Sequence, residues 1–411
     1  MDAQRPLTDE LTDGMSRRGF LQAAGALGAL ALLPACRGAS GSTAAPAAPS
    51  WGPTAGTVSF ANWPSYIDRP KSSDSSIARF TRATGIEVAY HDVIDDYPTF
   101  FGEILPQLQG GQPTGYDLIV LGGRELSMLH DLGYTASLAD APRPNFERHA
   151  APWVAERGLD PEAAFTMPWQ GGLTGIAVDH RYARGPITTL DDLADPSKVG
   201  ANTVGMITME MGDFVMAQMG IDVATSGPAE WKEAADWLRR QRDAGTVYAY
   251  YDIGYLNDLD AGNVSVTMAW SGDIVFRHIW NGKTDLEFML PQGRGLLWSD
   301  ELVVPAGAEH PSDAVALADF FYKPEIAKLV TEWVLFLSPV AGVQEELLRD
   351  ADAAESDGDH GFAELLRATA DDPFAFPDES LIGQMQAGRI LRSDEELDEW
   401  NALFQPIAEG I

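Results

Sequence analysis

Tryptophans beside carboxylates and hydroxyls are the groups of this sequence best suited to binding a small molecule. They lie in residues 62–66 (NWPSY), 270–273 (WSGD) and 298–300 (WSD). Trp63 and Trp270 each follow an apolar, strand-like run, and open α/β sheets bind ligands beyond the carboxyl ends of their strands. The three segments therefore predict a ligand cleft, and the alternative is that these tryptophans are ordinary core or rim aromatics.

Motifs for catalysis, cofactors and metals do not occur in the sequence. It has no G-x-S-x-G elbow, no P-loop and no G-x-G-x-x-G after a strand. Its seven histidines are scattered, and the nearest approach to a metal cluster, His91 beside three aspartates, is better explained as a solvated acidic loop. We therefore expect no enzyme activity, no cofactor and no metal site.

The charge is strongly acidic, with 61 Asp and Glu against 28 Lys and Arg and a formal net charge of -33. Residues 1–50 contain as many acidic as basic residues, so the whole excess belongs to the rest of the chain. Such a surface repels nucleic acid and favours cationic partners. It excludes nucleic acid as a partner.

The N-terminal region predicts export and anchoring. Residues 16–21 (SRRGFL) match a twin-arginine signal, and the apolar stretch 23–33 is too short to span a bilayer. Residues 33–36 (LPAC) resemble a lipoprotein cleavage site, so Cys36, the only cysteine, is predicted to carry the lipid that holds the protein at the membrane. Residues 37–55 are predicted to be a flexible linker, because 37–50 are nearly all small residues and proline.

Short apolar strands alternate with amphipathic helices from residue 58 onward. Residues 58–61, 86–90 and 117–120 are predicted strands, and 76–84 is a predicted helix that Gly85 ends. The same alternation of strands and helices recurs later in the sequence. It predicts a helix from Pro228 to Gly245, strands at 264–270 and 302–304, and a helix over 314–322. This pattern predicts two α/β lobes, with 345–372 as an acidic surface insertion of partial helix.

From residue 56 to about residue 336 the sequence resembles the periplasmic spermidine/putrescine-binding proteins of polyamine ABC transporters. Five segments in the same order carry this resemblance: 62–67 (NWPSYI), 115–120 (GYDLIV), 167–176 (MPWQGGLTGI), 270–272 (WSG) and 298–300 (WSD). The resemblance implies a two-lobed type II periplasmic-binding-protein fold with a ligand cleft between the lobes. By the same comparison, 56–171 and 299–346 form lobe 1, and 172–298 and 347–411 form lobe 2.

The resemblance also implies a site and partners. The predicted ligand is a polyamine or related organic cation, handed to ABC permease subunits by an exported monomer. Aromatic rings would pack on its methylenes and carboxylates would pair with its ammonium groups. The ligand-binding residues implied by the alignment are Trp63, Tyr66, Arg124, Glu210, Trp270, Trp298, Asp300 and Phe336.

This sequence departs from the family pattern at several positions. Gly122 and Arg124 stand where the family has serine and tyrosine, Ile207 replaces an acid, and Phe336 replaces a tyrosine. Two alternatives therefore stay open: the same fold with another solute, such as an amino acid derivative or an anion, and a secreted glycan hydrolase with Asp300 and Glu210 as its carboxylate pair.

Overall fold

The computed structural model describes residues 51–52, 55–156, 159–391 and 393–410 of the 411-residue chain. The export signal, Cys36 and the linker up to residue 50 lie outside these residues.

Ten strands in the described residues form one sheet. Their bounds are β1 (Thr57–Asn62), β2 (Glu87–Asp92), β3 (Leu118–Gly122), β4 (Thr166–Asp179), β5 (Val204–Ile207), β6 (Val247–Tyr251), β7 (Val266–Trp270), β8 (Leu286–Met289), β9 (Leu296–Val303) and β10 (Gln386–Ala387).

Fourteen α-helices flank the sheet in the same part of the chain. They are α1 (Ser76–Thr84), α2 (Tyr97–Gln109), α3 (Gly123–Asp131), α4 (Pro144–His149), α5 (Met211–Met219), α6 (Pro228–Asp243), α7 (Tyr255–Ala261), α8 (Ser271–Ile279), α9 (Pro311–Phe321), α10 (Pro324–Val334), α11 (Val343–Ser356), α12 (His360–Asp371), α13 (Glu379–Ile382) and α14 (Asp394–Ala408).

The sheet has parallel strands at both ends and antiparallel strands in its middle. Its order is β2-β1-β3-β9-β4-β7-β5-β6, with β8 paired to β4 and β10 to β9. β1 pairs in parallel with β2 and β3, and β5 does so with β6 and β7. The antiparallel partners β9 and β4 join these two parallel groups.

Two large hydrophobic cores lie on this sheet. The first contains Phe60, Ile119 and Leu317, and the second contains Val204, Phe214 and Trp231. We call the elements around the first core lobe 1 and those around the second core lobe 2.

Both middle strands pass from one core to the other. In β4, Met167 and Trp169 are buried in the first core, and Leu173 is buried in the second. In β9, Leu297 belongs to the second core and Leu302 to the first. Residues 170–172 and 298–301 therefore lie between the cores, where a cleft between lobes would be.

The acidic segment 345–372 differs from its prediction. It forms two helices, α11 and α12, that pack on each other, and α11 also packs on α10, instead of a partly helical surface insertion. Leu347, Ala351 and Leu366 are buried in the first core, whereas the sequence comparison placed 347–411 in lobe 2. Only Val343, Leu347 and Ala351 of α11 are buried, so the apolar stripe that marks a helix in a sequence is narrow here. The lobe bounds as a whole stay a prediction.

Among the described residues, every helix is too short or too polar to span a lipid bilayer. Nor does that part of the chain contain three His, Cys, Asp or Glu side chains grouped to hold a metal ion.

Candidate functional site

Asp300 lies on β9 at the centre of the candidate site. Its β-sheet neighbours are Gly122 on β3 and Gln170 on β4. The hydroxyl of Tyr66 donates a hydrogen bond to Asp300 Oδ2 at 2.9 Å, and that of Tyr97 donates to Oδ1 at 2.5 Å. Burial raises the pKa of Asp300 to about 6, although both phenol hydrogen bonds oppose the shift. Two neutral donors hold this carboxylate without neutralising its charge.

Glycine at position 122 makes room for this arrangement. A Cβ atom there would lie 2.9 Å from Asp300 Oδ1 and 3.3 Å from the Tyr97 ring. The replacement of the family serine by Gly122 therefore lets the Asp300 carboxylate and Tyr97 come close to β3.

Glu210 is a second carboxylate of the site, and it is half-buried. It directly precedes α5, and its Oε2 accepts a hydrogen bond from Thr174 Oγ1 at 2.5 Å. The indole N–H of Trp270 lies 3.3 Å from both carboxylate oxygens. Burial raises the pKa of Glu210 to about 7, the two hydrogen bonds oppose the shift, and the charge of Asp300 adds to it. Glu210 and Asp300 are therefore within electrostatic reach of each other.

Aromatic rings line the space around these carboxylates. The Phe336 ring lies 5.8 Å from the Tyr66 ring and 5.2 Å from the Trp298 ring, centroid to centroid. On the other side of Asp300, the Trp63 ring lies 5.0 Å from the Tyr97 ring. All three contacts are edge-to-face, the arrangement that aromatic pairs prefer.

Two glycines allow this packing. A Cβ on Gly172 would lie 2.3 Å from Trp298 Cζ2, and one on Gly272 would lie 2.4 Å from Phe336 Cδ1. No real Cβ tolerates such distances, so any side chain at either position would displace an aromatic ring of the site.

Asp273 is a third carboxylate, which the sequence analysis missed. Its Oδ2 accepts a hydrogen bond from the Tyr255 hydroxyl at 2.7 Å, and burial raises its pKa. Tyr255 also connects Asp273 to the site, because its hydroxyl oxygen accepts a hydrogen bond from the backbone N–H of Trp270 at 3.2 Å. The sequence did carry a signal, because Asp273 is in the same WSGD segment as Trp270.

Tyr97 was also missed. It begins α2, which follows β2 after a short loop. Only the fold brings that helix start to Asp300, 203 residues further along the chain. No local pattern in the sequence distinguishes Tyr97 from other aromatic residues.

Seven of the eight predicted ligand residues, all except Arg124, lie around these carboxylates. Arg124 instead points its guanidinium to Asp394, with Nη2 and Oδ1 3.5 Å apart. Ile207, which replaces a family acid, is fully buried in the second core. The assignment of the eight residues to ligand binding stays a prediction.

Two known polyamine-binding proteins have sequences similar to this one. The spermidine/putrescine-binding periplasmic protein of Salmonella typhimurium is 26% identical over 285 residues, which cover 69% of this chain and 77% of that protein. The putrescine/agmatine-binding protein of Pseudomonas aeruginosa is 25% identical over 298 residues, or 68% and 77%.

Solved structures confirm the predicted α/β solute-binding-protein fold. The spermidine/putrescine ABC transporter substrate-binding protein PotD of Streptococcus pneumoniae superposes with a TM-score of 0.68 at 19% identity, covering 86% of this chain and 98% of that one. The Tp0655 (TpPotD) lipoprotein of Treponema pallidum gives a TM-score of 0.66 at 18% identity, covering 85% and 99%.

The family model for bacterial extracellular solute-binding proteins matches residues 75–358, more than half of the chain. Members of this family bind solutes outside the cytoplasm and are not catalysts, as the absence of catalytic motifs predicted. The chain belongs to the bacterial extracellular solute-binding protein family.

Proposed function

We propose that this solute-binding protein captures a polyamine such as putrescine or spermidine and delivers it to the permease subunits of an ABC importer. The observation that carries the proposal is the pair of half-buried carboxylates of Asp300 and Glu210, set among aromatic rings. The names of the similar polyamine-binding proteins support it.

The chemistry of the site suits an organic dication or trication. Buried carboxylates are destabilising unless an opposite charge compensates them. The hydrogen-bond partners of Asp300 and Glu210 among the described residues are neutral groups: two phenols, a hydroxyl and an indole. A ligand with ammonium groups would supply the missing charge. Each ammonium over a ring face adds about 0.5 to 2 kcal/mol of binding free energy.

Among other solutes, one that carries both amine and carboxylate is the main competitor. That alternative depends on a positive side chain in the site, and Arg124 was the predicted candidate. Its contact with Asp394 weakens the alternative. The glycan hydrolase alternative conflicts with the non-catalytic character of the family.

Ligand identity is tested by mass spectrometry of the solute released when gently purified protein is denatured. Calorimetric titration with putrescine, spermidine and a panel of amino acids then gives the order of affinities. We expect saturable binding of polyamines at micromolar or lower concentration and no binding of neutral amino acids. A released anion, or tighter binding of an amino acid than of either polyamine, would contradict the proposal.

We also propose that Cys36 anchors the protein to the outer face of the membrane, because residues 33–36 resemble a lipoprotein cleavage site. Replacing Cys36→Ala should then move the protein from the membrane fraction to the soluble fraction. Replacing Arg17 and Arg18 together by lysine should block export. If the Cys36→Ala protein stays with the membrane, the lipid anchor is wrong.

A further inference from the structure

Arg124 is fixed to lobe 1 at the edge of the candidate site. It is the second residue of α3, which follows directly on Gly122, the residue packed against Asp300. The helix buries Leu126 and Leu129 in the first core. Arg124 therefore moves with lobe 1.

Asp394, in contrast, is fixed to lobe 2. It is the first residue of α14, which buries Phe404 and Ile407 in the second core. The same helix places Trp400 5.5 Å from the Trp231 ring of α6, centroid to centroid. Asp394 therefore moves with lobe 2.

The contact between the two side chains joins the lobes. Arg124 Nη2 lies 3.5 Å from Asp394 Oδ1, and the two side chains are 22% and 96% exposed. Because each partner is held by a different core, the ion pair forms only when the lobes are close together. The hydrogen-bond partners of Asp300 and Glu210 in the described part of the chain include neither Arg124 nor Asp394.

We propose that Arg124 and Asp394 form a latch at the rim of the cleft that favours the closed arrangement of the lobes. In this role Arg124 is a positioning residue that acts on closure and does not select the ligand by direct contact. An exposed ion pair contributes little free energy and is screened by salt. The latch therefore tunes the lifetime of the closed state without locking it. Its effect on ligand release depends on the proposed polyamine binding, whereas its effect on the lobes does not.

The lobes can be monitored without any ligand. We would attach spin labels to cysteines that replace two exposed residues, Ala83 on α1 in lobe 1 and Glu233 on α6 in lobe 2, in the full chain carrying Cys36→Ser. Pulsed spin-label spectroscopy gives the distribution of distances between the labels. The variants are Arg124→Gln, Asp394→Asn and the charge exchange Arg124→Asp with Asp394→Arg. The control is Arg367→Gln, which removes an arginine whose ion pairs with Asp352 and Glu355 lie within the α11–α12 hairpin.

Each single variant should shift the ligand-free distribution toward longer distances, and the charge exchange should restore it. High salt should shift the wild-type distribution in the same direction, and Arg367→Gln should leave it unchanged. With spermidine bound, stopped-flow dissociation should be about two- to five-fold faster in either single variant. If wild type fails to bind polyamines but the distances respond, the proposed ligand is wrong and the latch stands. Unchanged distances in both single variants would overturn the latch, whatever the ligand.

Discussion

At the residue scale, Asp300 should contribute most to cation binding. Replacing Asp300→Asn keeps the shape of the side chain and removes its charge. We expect calorimetry to show a loss of about 2 to 5 kcal/mol of polyamine binding free energy, the range for removing one partner of a buried charge pair. The matched control is Asp236→Asn on α6, whose carboxylate pairs with Lys232 and Arg239 on the surface. Wild-type affinity in Asp300→Asn would remove this residue from the site.

The pKa values of the two central carboxylates predict that cation binding depends on pH. Burial raises the pKa of Asp300 to about 6 and that of Glu210 to about 7, so both hold protons in the empty site at mildly acidic pH. A cation must displace these protons before it can pair with the carboxylates. Polyamine affinity should therefore fall as the pH is lowered from about 8 to about 5.5.

Binding near neutral pH should also release protons, which calorimetry in buffers of different ionisation enthalpy measures. The Glu210→Gln variant should release fewer protons than wild type, because one of the two groups no longer titrates. An affinity that stays constant across this pH range would show that neither carboxylate changes protonation on binding.

Local sequence signals predicted helix α1 well, because both of its ends are capped by residues that the sequence shows. The predicted helix 76–84 has the bounds of α1, because Ser75 caps its start and Gly85, with φ 76°, ends it. β4 gave no strand pattern of its own, because all of its fourteen residues are buried and period-two alternation needs one exposed face. Only the resemblance to known crossovers marked this segment.

The site shows the same division between local and long-range information. The WSGD segment begins at the end of β7 and the WSD segment lies in β9, so these short motifs were enough to predict Trp270, Trp298 and Asp300 as site residues. Tyr97 is the first residue of α2, and only the folding of the chain brings it to Asp300, which is far away in the sequence. The pairing of Arg124 with Asp394 needs α14 docked on lobe 2, which no local pattern encodes.

At the element scale, the crossing strand β4 should tolerate no side chain at position 172. In Gly172→Ala the new Cβ would meet the Trp298 ring, so either the ring or the strand must move. Overpacking of this kind costs about 1 to 3 kcal/mol of unfolding free energy. Displacement of Trp298 should weaken ligand binding as well, and urea unfolding and calorimetry measure the two effects.

The control for this substitution is Gly102→Ala in α2, where a Cβ would have no atom within 4 Å. Alanine there should stabilise the protein by about 0.5 to 1 kcal/mol, since glycine is the poorer helix former. If Gly172→Ala behaves like this control, the close approach of β4 to Trp298 is not tight enough to matter.

At the scale of the whole molecule, the ligand-free protein contains several acids whose pKa is raised by burial. Burial raises the pKa of Glu210, Asp213 and Glu332 to about 7 and that of Asp300 to about 6. In the unfolded chain such groups titrate near their ordinary values of about 4. Between these values the folded protein holds protons that the unfolded chain has lost. Raising the pH through this window therefore lowers the free energy of unfolding.

We therefore expect the ligand-free protein to be less stable at about pH 8 than at about pH 5.5 by urea unfolding. Repulsion among the negative charges of a chain of net charge -33 also lowers the free energy of unfolding as the pH rises. A variant is needed to separate this repulsion from the titration of the site acids. Glu210→Gln should reduce the pH dependence, whereas Glu233→Gln, an exposed surface residue, should leave it unchanged. Spermidine should restore more stability at the higher pH, because the ionised carboxylates bind it more tightly and stabilisation grows with affinity. A ligand-free stability that rises with pH over this range would mean that the site acids are already compensated within the protein and need no cationic ligand.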